Sequence, residues 1–191
     1  MKKNDILKIF RSKSTVFTFK DISLIFGETN MDLVKSRMNY YVKTKKLYQI
    51  RKGIYSIDKN YDKLELATKI FTPSYISLET ILQKEGIIFQ FYKRIFIISY
   101  LTREIICDNQ EYSYKKIKNN ILTNTTGVER KENYFIASKE RALLDTLYLY
   151  GDYYFDNLKP IDFNKCFKIL EIYNNKSLEK RLNLYARHKH T

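Results

Sequence analysis

The chain has little of what most metal sites and phosphate-binding loops require. Only five of its 191 residues are glycine, and they are not grouped as a phosphate-binding loop needs. Its two cysteines, Cys107 and Cys166, have no second cysteine or histidine nearby at metal-ligand spacing, so neither a zinc site nor a redox motif is predicted. Both are expected to be buried thiols. The sequence therefore predicts no metal and no cofactor.

Histidine is also scarce, which limits catalysis by a nucleophile and a base. His188 and His190 lie within four residues of the C-terminus, where a loose tail gives poor preorganisation. A nucleotide-transferring site would further need a Gly-Ser loop with spaced carboxylates, and no such grouping is present. We predict no catalytic residue and expect a protein that is not an enzyme. A nuclease built from scattered acidic residues is the enzyme class left open.

Long apolar runs are absent as well. No stretch approaches the roughly 18 apolar residues that a membrane span needs. The opening MKKNDILKIF lacks the apolar stretch and the cleavage site of a signal peptide. We expect a protein that stays in the cytoplasm and has no membrane partner.

Positive charge, by contrast, is plentiful. The 35 Lys and Arg residues exceed the 21 Asp and Glu residues, and the net charge of +14 favours an anionic partner such as nucleic acid or a lipid surface. Part of this excess follows from a residue usage rich in Lys, Asn, Ile, Tyr and Phe, which is typical of AT-rich coding. Residues 1–58 nevertheless hold 13 basic and 5 acidic residues, a net charge of +8, and the longer remainder holds only +6.

The N-terminal segment has the pattern of three short helices. Apolar residues at helical spacing predict the first helix over residues 3–10. The second helix should begin after Thr18, an expected N-cap, and stop at Gly27. After a tight turn, Asn30 is expected to cap a third helix that runs from about Met31 to Lys46.

The third predicted helix has two distinct faces. Its apolar face, expected to pack on the first two helices, carries Val34, Met38, Tyr41 and Val42. Its opposite face carries hydroxyl, amide and ammonium groups, which can reach base edges and phosphates from a helix in the major groove. A polar outer face is also what any surface helix has. The residues predicted here to bind DNA are Lys35, Ser36, Asn39, Tyr40, Lys43 and Lys46.

A short hairpin should follow the third helix. In LYQIRKGIYSI, apolar and polar residues alternate on both sides of the tripeptide Arg51-Lys52-Gly53. Gly53 suits the left-handed position that closes a three-residue loop. Arg51 and Lys52 then lie at an exposed tip and are predicted to contact phosphates.

Three helices followed by a basic hairpin are the order of a winged helix-turn-helix, which we predict over residues 1–58. The expected function is DNA binding, by the outer face of the third helix and by the hairpin tip. The alternative is a protein-interaction module, in which the winged helix holds a protein partner and never meets DNA.

Residues 60–191 have a mixed pattern that predicts a second domain. Helices are expected over about Leu64–Phe71 and Ile76–Lys84. Ser138 should cap a further helix, and two more are expected at about Phe163–Tyr173 and Ser177–Arg187. Between these helices, a mainly antiparallel sheet is predicted from the segments IIFQFY, RIFIISYL, REIICD, EYSYKKI and ENYFIA. The whole chain is therefore predicted to be α+β, a winged helix-turn-helix followed by a mixed helix and antiparallel-sheet domain.

Three segments, in this order, resemble the AbiEi family of antitoxins from type IV toxin–antitoxin and phage abortive-infection systems. They are RKGIYSI at the hairpin, YISLETILQKEGII at Tyr75–Ile88 and IASKERALLDTLYL at Ile136–Leu149. The third is the most specific, because family members tend to carry Ala-x-x-Glu-Arg-Ala-Leu-Leu-Asp, which is matched over Ala137–Asp145. In the second, Glu79–Leu82 stands where the family usually reads Ser-Ala-Leu.

The resemblance implies two functions for one chain. The N-terminal winged helix would bind the double-stranded promoter DNA of its own operon and repress transcription. The C-terminal domain would counter a cognate nucleotidyltransferase toxin of the AbiEii type, with direct contact left open. Arg141 and Asp145, four residues apart on a predicted helix, are a candidate partner-binding site, although a structural intrahelical or buried pair is the preferred interpretation.

Overall fold

Two compact units make up the chain, and they divide after Ile70. The computed structural model describes residues 5–188. Both units combine helices with sheet, so the predicted α+β class is confirmed. The division falls later than the predicted boundary near residue 60, because the helix Lys63–Ile70 packs on the first unit. Among the described residues, no helix is long and apolar enough to cross a membrane.

The first unit alternates helices with a small antiparallel sheet. Its elements follow one another as α1 (Asp5–Phe10), β1 (Val16–Thr18), α2 (Phe19–Phe26), α3 (Met31–Lys43), β2 (Tyr48–Arg51), β3 (Ile54–Ser56) and α4 (Lys63–Ile70). The strands pair in the order β1-β3-β2, so β3 is the central strand. Strand β1 was not predicted. Residues 3 and 4 of the predicted first helix lie outside the described residues.

The core of the first unit lies between its helices and its sheet. The predicted apolar face of α3 is confirmed in part, since Val34, Met38 and Tyr41 are buried and Val42 is partly buried. The alternation predicted after the hairpin tip is wrong at Ser56, which is buried. All three residues of β3, the central strand, are buried, so both faces of the strand are covered and alternation is lost. The other buried members of this core are Ile6, Ile9, Phe17, Ile22, Phe26, Leu47 and Tyr55.

The second unit is a mixed six-stranded sheet with helices. Its strands and first helices are β4 (Ser74–Ile76), α5 (Glu79–Lys84), β5 (Ile95–Ser99), β6 (Arg103–Cys107), β7 (Gln110–Lys116), α6 (Asn119–Leu122), β8 (Val128–Lys131) and β9 (Tyr134–Ala137). Its remaining elements are α7 (Lys139–Tyr150), α8 (Phe163–Leu170), the 3-10 helix Glu171–Tyr173 and α9 (Lys176–His188). The strand order is β6-β7-β5-β4-β9-β8.

The sheet is antiparallel in most of its pairings, as predicted. The exceptions are β4 with β9 and β5 with β7, which run parallel. Strand β5 lies inside the sheet, and all five of its residues are buried. Helix α7 packs on α5, α8 and α9, and most of its side chains are buried. Cys107 and Cys166 are both buried.

Two predictions in the second unit are wrong. The helix predicted from Ile76 begins only at Glu79, because Ser74–Ile76 forms β4 between β5 and β9. The segment IIFQFY is not a strand. Its Phe89 N–H donates to Asp156 at 2.7 Å, and the N–H of Tyr92 donates to Gln83 at 3.0 Å. Side chains therefore take the hydrogen bonds that a sheet neighbour would otherwise make.

Candidate nucleic-acid interface

Local capping sets where α2 and α3 begin and end. Thr18 and Asp21 form the capping box of α2, and Gly27 ends the helix in the left-handed conformation at φ 62°. Asn30 then caps α3, its side chain accepting from the N–H groups of Asp32 and Leu33 at 3.1 and 3.3 Å. The predicted caps are confirmed.

The outer face of α3 is accessible along its whole length. Opposite the buried residues of the helix, every predicted member of this face is exposed, including Tyr40 with 42% of its surface accessible. The exposed members on the helix itself are Lys35, Ser36, Asn39, Tyr40 and Lys43. They present ammonium, hydroxyl and amide groups together, which is the chemistry that contacts phosphates and base edges.

The predicted position of Lys46 on this helix is wrong. Helix α3 ends at Lys43, since Lys45 turns the backbone to a φ of 55° and the Lys46 N–H then donates to the Tyr41 carbonyl, five residues back, at 2.8 Å. Lys46 is instead exposed in the turn that leads to β2. Its ammonium nitrogen lies 5.9 Å from the centre of the Tyr40 ring. A cation–π contact of this kind keeps the Lys46 charge beside the outer face of α3.

The hairpin turn is tighter than predicted. Arg51 pairs with Ile54 as the last residue of β2, so the loop consists of Lys52 and Gly53 alone. Gly53 has a φ of 80°, the left-handed conformation that was expected of it. The Gly53 carbonyl accepts from the N–H of Phe19 at 2.9 Å. The exposed Arg51 and Lys52 are therefore anchored to the start of α2.

Charge on the first unit is separated rather than balanced. Three of its acidic side chains are paired within the unit, in Asp21–Lys69 at 3.3 Å, Glu28–Arg37 at 3.5 Å and Glu65–Lys69 at 3.0 Å. None of the predicted DNA-binding cations forms an ion pair with a carboxylate among the described side chains. The positive field of α3, its following turn and the hairpin tip is therefore not neutralised within the unit.

The predicted partner-binding pair lies inside the second unit. Arg141 and Asp145 are both fully buried, and the Arg141 Nε lies 3.3 Å from Asp145 Oδ1. The guanidinium also donates to the carbonyls of Thr126 and Ile121, each at 2.8 Å. With no exposed surface, the two side chains have nothing to offer a partner, and the preferred interpretation as a structural pair accounts for their contacts.

Hydroxyl groups from distant segments complete this buried network. Asp145 accepts from Tyr173 at 2.6 Å, from Ser77 at 2.8 Å and from Tyr75 at 3.1 Å. Sequence reasoning missed these donors, although Tyr75 and Ser77 belong to one of the segments that carry the family resemblance. The network therefore joins the second and third of those segments in space.

Burial sets the protonation of this network. It raises the pKa of the Asp145 carboxyl, and the Arg141 charge and the hydroxyl donors oppose that shift. Burial alone would lower the pKa of Arg141, but the charge of Asp145 and the interactions with Tyr173 and Tyr75 together outweigh it, and the net shift is upward. The pKa of Tyr75 and of Tyr173 is raised well above its ordinary value, chiefly by burial. Both tyrosines therefore stay protonated and donate hydrogen bonds to Asp145.

No protein-family model matches the chain, and no curated protein sequence matches it. Among the described residues, no group of three His, Cys, Asp or Glu side chains is placed to hold a metal ion. The side chains of His188 and His190 lie outside the described ones. The exposed cationic surface of the first unit is thus the candidate functional site.

Proposed function

We propose that this protein is a DNA-binding transcriptional repressor of its own operon, and that it is the antitoxin to a nucleotidyltransferase toxin. The single observation that carries DNA binding is the exposed row on α3, continued by Lys46 and the hairpin tip, with no carboxylate paired to its cations among the described side chains. Such a row attracts an external polyanion, and duplex DNA supplies closely spaced phosphates.

The arrangement of the first unit supports a winged helix-turn-helix. A tight turn joins α2 to α3, and the β2–β3 hairpin follows directly, with β1 added at the other edge of β3. In this architecture α3 would enter the major groove, with Ser36, Asn39 and Tyr40 facing base edges. Arg51 and Lys52 would contact phosphates beside the groove.

The antitoxin part of the proposal rests on the resemblance to AbiEi antitoxins and on the second unit's own core. The matched segment Ala137–Asp145 forms the end of β9 and most of α7, and its Arg141 and Asp145 hold three other segments together. The matching residues would therefore preserve the fold of this unit and leave its surface to counter the toxin. The protein would act in the cytoplasm by binding, without catalysing a reaction.

The test uses the full chain and the DNA directly upstream of its own reading frame. Fluorescence anisotropy should give tighter binding to this DNA than to a shuffled duplex of the same length and composition, and the protein should lower expression of a reporter under that promoter. Co-expression should restore growth of cells that express a nucleotidyltransferase encoded next to it. No binding to either duplex by a folded protein, together with rescue of growth, would favour the protein-interaction alternative.

A further inference from the structure

Five lysines from four elements converge on one cleft in the second unit. They are the last residue of α5, the last residue of β8, the first residue of α7 and two residues three apart on α8. We call this the lysine cleft, and it is defined by Lys84, Lys131, Lys139, Lys165 and Lys168. Its volume is about 510 Å³, which lies within the range of small-molecule sites.

The lysine cleft carries an excess of positive charge. None of its five lysines forms an ion pair in the described part of the chain. Three glutamates also line it, but Glu140 is buried and its Oε1 accepts from the N–H of Asp162 at 3.4 Å, and Glu85 and Glu129 are exposed. The walls thus carry five lysines against three glutamates, a net charge of +2, so an anion in the cleft would be favoured.

Backbone donors add to the lysines at one wall. Ser138 caps α7 by accepting from the N–H of Arg141 at 3.2 Å. The N–H groups of Lys139 and Glu140, in the same first turn, have no acceptor among the described residues. Such N–H groups hydrogen-bond to phosphate oxygens in many nucleotide sites. They supplement the charge of the cleft, which comes from the lysines.

The remaining walls are mainly apolar. Ile81, Ile136 and Ile169 line the cleft between the charged groups. Gly127 closes it, and its carbonyl accepts from the N–H of Ser138 at 2.8 Å. A Cβ at Gly127 would stand 2.9 Å from Ile169 Cδ1, so the backbone approaches α8 as only glycine allows. An apolar surface next to a cluster of cations suits a ligand that has a flat ring at one end and phosphates at the other.

We infer that the lysine cleft binds a nucleoside polyphosphate. The phosphates lie among the lysines and the first turn of α7, and the base lies against the isoleucines. A volume of about 510 Å³ suits a free nucleotide, whereas a nucleic-acid strand needs a groove that continues past the site. This site is on the second unit and is independent of DNA binding by the first.

The test is calorimetric titration of the full chain with ATP, GTP and inorganic triphosphate. We expect at least one nucleotide to bind with a Kd below about 1 mM and to weaken as salt rises. Lys165→Ala with Lys168→Ala should weaken it at least tenfold. Lys176→Ala with Lys180→Ala removes two exposed lysines from one face of α9, outside the cleft, and should leave the Kd unchanged. Thermal melts confirm that each variant is folded.

Several results would overturn this inference. One is the absence of heat with both nucleotides at millimolar concentration. Another is an equal loss of nucleotide affinity in the Lys176→Ala, Lys180→Ala control, which would show that only the net charge of the protein matters. If inorganic triphosphate binds as tightly as the nucleotides, the cleft does not recognise the nucleoside. If a single-stranded RNA binds through the cleft and free nucleotides do not, the ligand is RNA. The Arg51→Ala, Lys52→Ala variant should keep nucleotide binding, so failure here is separable from failure of DNA binding.

Discussion

Glu65 accepts two hydrogen bonds from Thr15, at 2.8 Å from its backbone N–H and at 2.7 Å from its hydroxyl. These residues lie fifty positions apart in the sequence. The same carboxylate pairs with Lys69, which in turn pairs with Asp21. A buried carboxylate thus ties α4 to β1 and, through Lys69, to α2, which is why the first unit extends to Ile70.

Glu65→Ala should destabilise the first unit by about 2–4 kcal/mol, because it removes the buried acceptor of both Thr15 hydrogen bonds and one of the two carboxylates that pair with Lys69. Urea unfolding followed by circular dichroism measures this. The control is Glu129→Ala, an exposed glutamate on β8, which should change stability by less than about 0.5 kcal/mol. Equal stabilities for the two variants would show that α4 is not held by this carboxylate.

Arg51→Ala with Lys52→Ala should weaken binding to all DNA sequences alike, because both side chains would contact phosphates. The slope of log affinity against log salt should fall by roughly one to two units. Anisotropy titrations at several salt concentrations measure it, with the Lys176→Ala, Lys180→Ala variant as the matched loss of two cations elsewhere. If the slope stays at the parent value, the hairpin tip does not contact the DNA phosphates.

Asn39→Ala should cost about 1–3 kcal/mol of binding to promoter DNA and little to the shuffled duplex, because a base contact supplies discrimination. Asn39 is exposed, so the thermal midpoint should not change. The two affinities are measured side by side on the same protein preparation. Equal losses on both duplexes would assign Asn39 to the phosphate backbone.

Arg141→Met should destabilise the second unit by about 3–5 kcal/mol, since it leaves the Asp145 carboxylate buried without its counter-charge. Urea unfolding of the full chain, with a probe in the second unit, measures the change. Arg130→Met alters an exposed arginine on β8 and serves as the control. A decrease in the free energy of unfolding below about 1 kcal/mol would contradict a stabilising buried pair and would favour Arg141 and Asp145 as a partner-binding site.

Glu79 should make the stability of the second unit depend on pH. Its side chain is 6% exposed, and Oε2 has no hydrogen-bond partner among the described residues. Burial raises its pKa above the ordinary value of 4.5. The folded state therefore holds this proton more tightly than the unfolded state, and the associated stability is present below pH 4.5 and is lost as the pH rises through the folded-state pKa.

Glu79→Gln removes this titration, so the stability of the variant relative to the parent should increase from pH 4.5 upward. Urea unfolding at pH 4.5 and at pH 7.5 measures the difference. A constant difference between the two pH values would mean that the carboxyl is solvated in the folded protein.

Local signals in the sequence determined much of the first unit. The Thr18 and Asn30 caps, the Gly27 stop and the apolar face of α3 act over three or four residues, so their outcome could be predicted without knowing the fold. The outward direction of the predicted DNA-binding residues followed from the same helical period. The prediction that Lys46 lies on α3 was wrong because the last turn of a helix can end one or two residues early, and here the left-handed backbone of Lys45 ends it.

Tertiary structure alone decided where distant segments meet. A short apolar run such as Ser74–Ile76 has no period of its own, and only its place between β5 and β9 makes it a strand. The same holds for Glu65 with Thr15, for Asp145 with Tyr173 and for the lysine cleft. In each case the partners come from separate elements, and burial or charge acts through space whereas sequence patterns act along the chain.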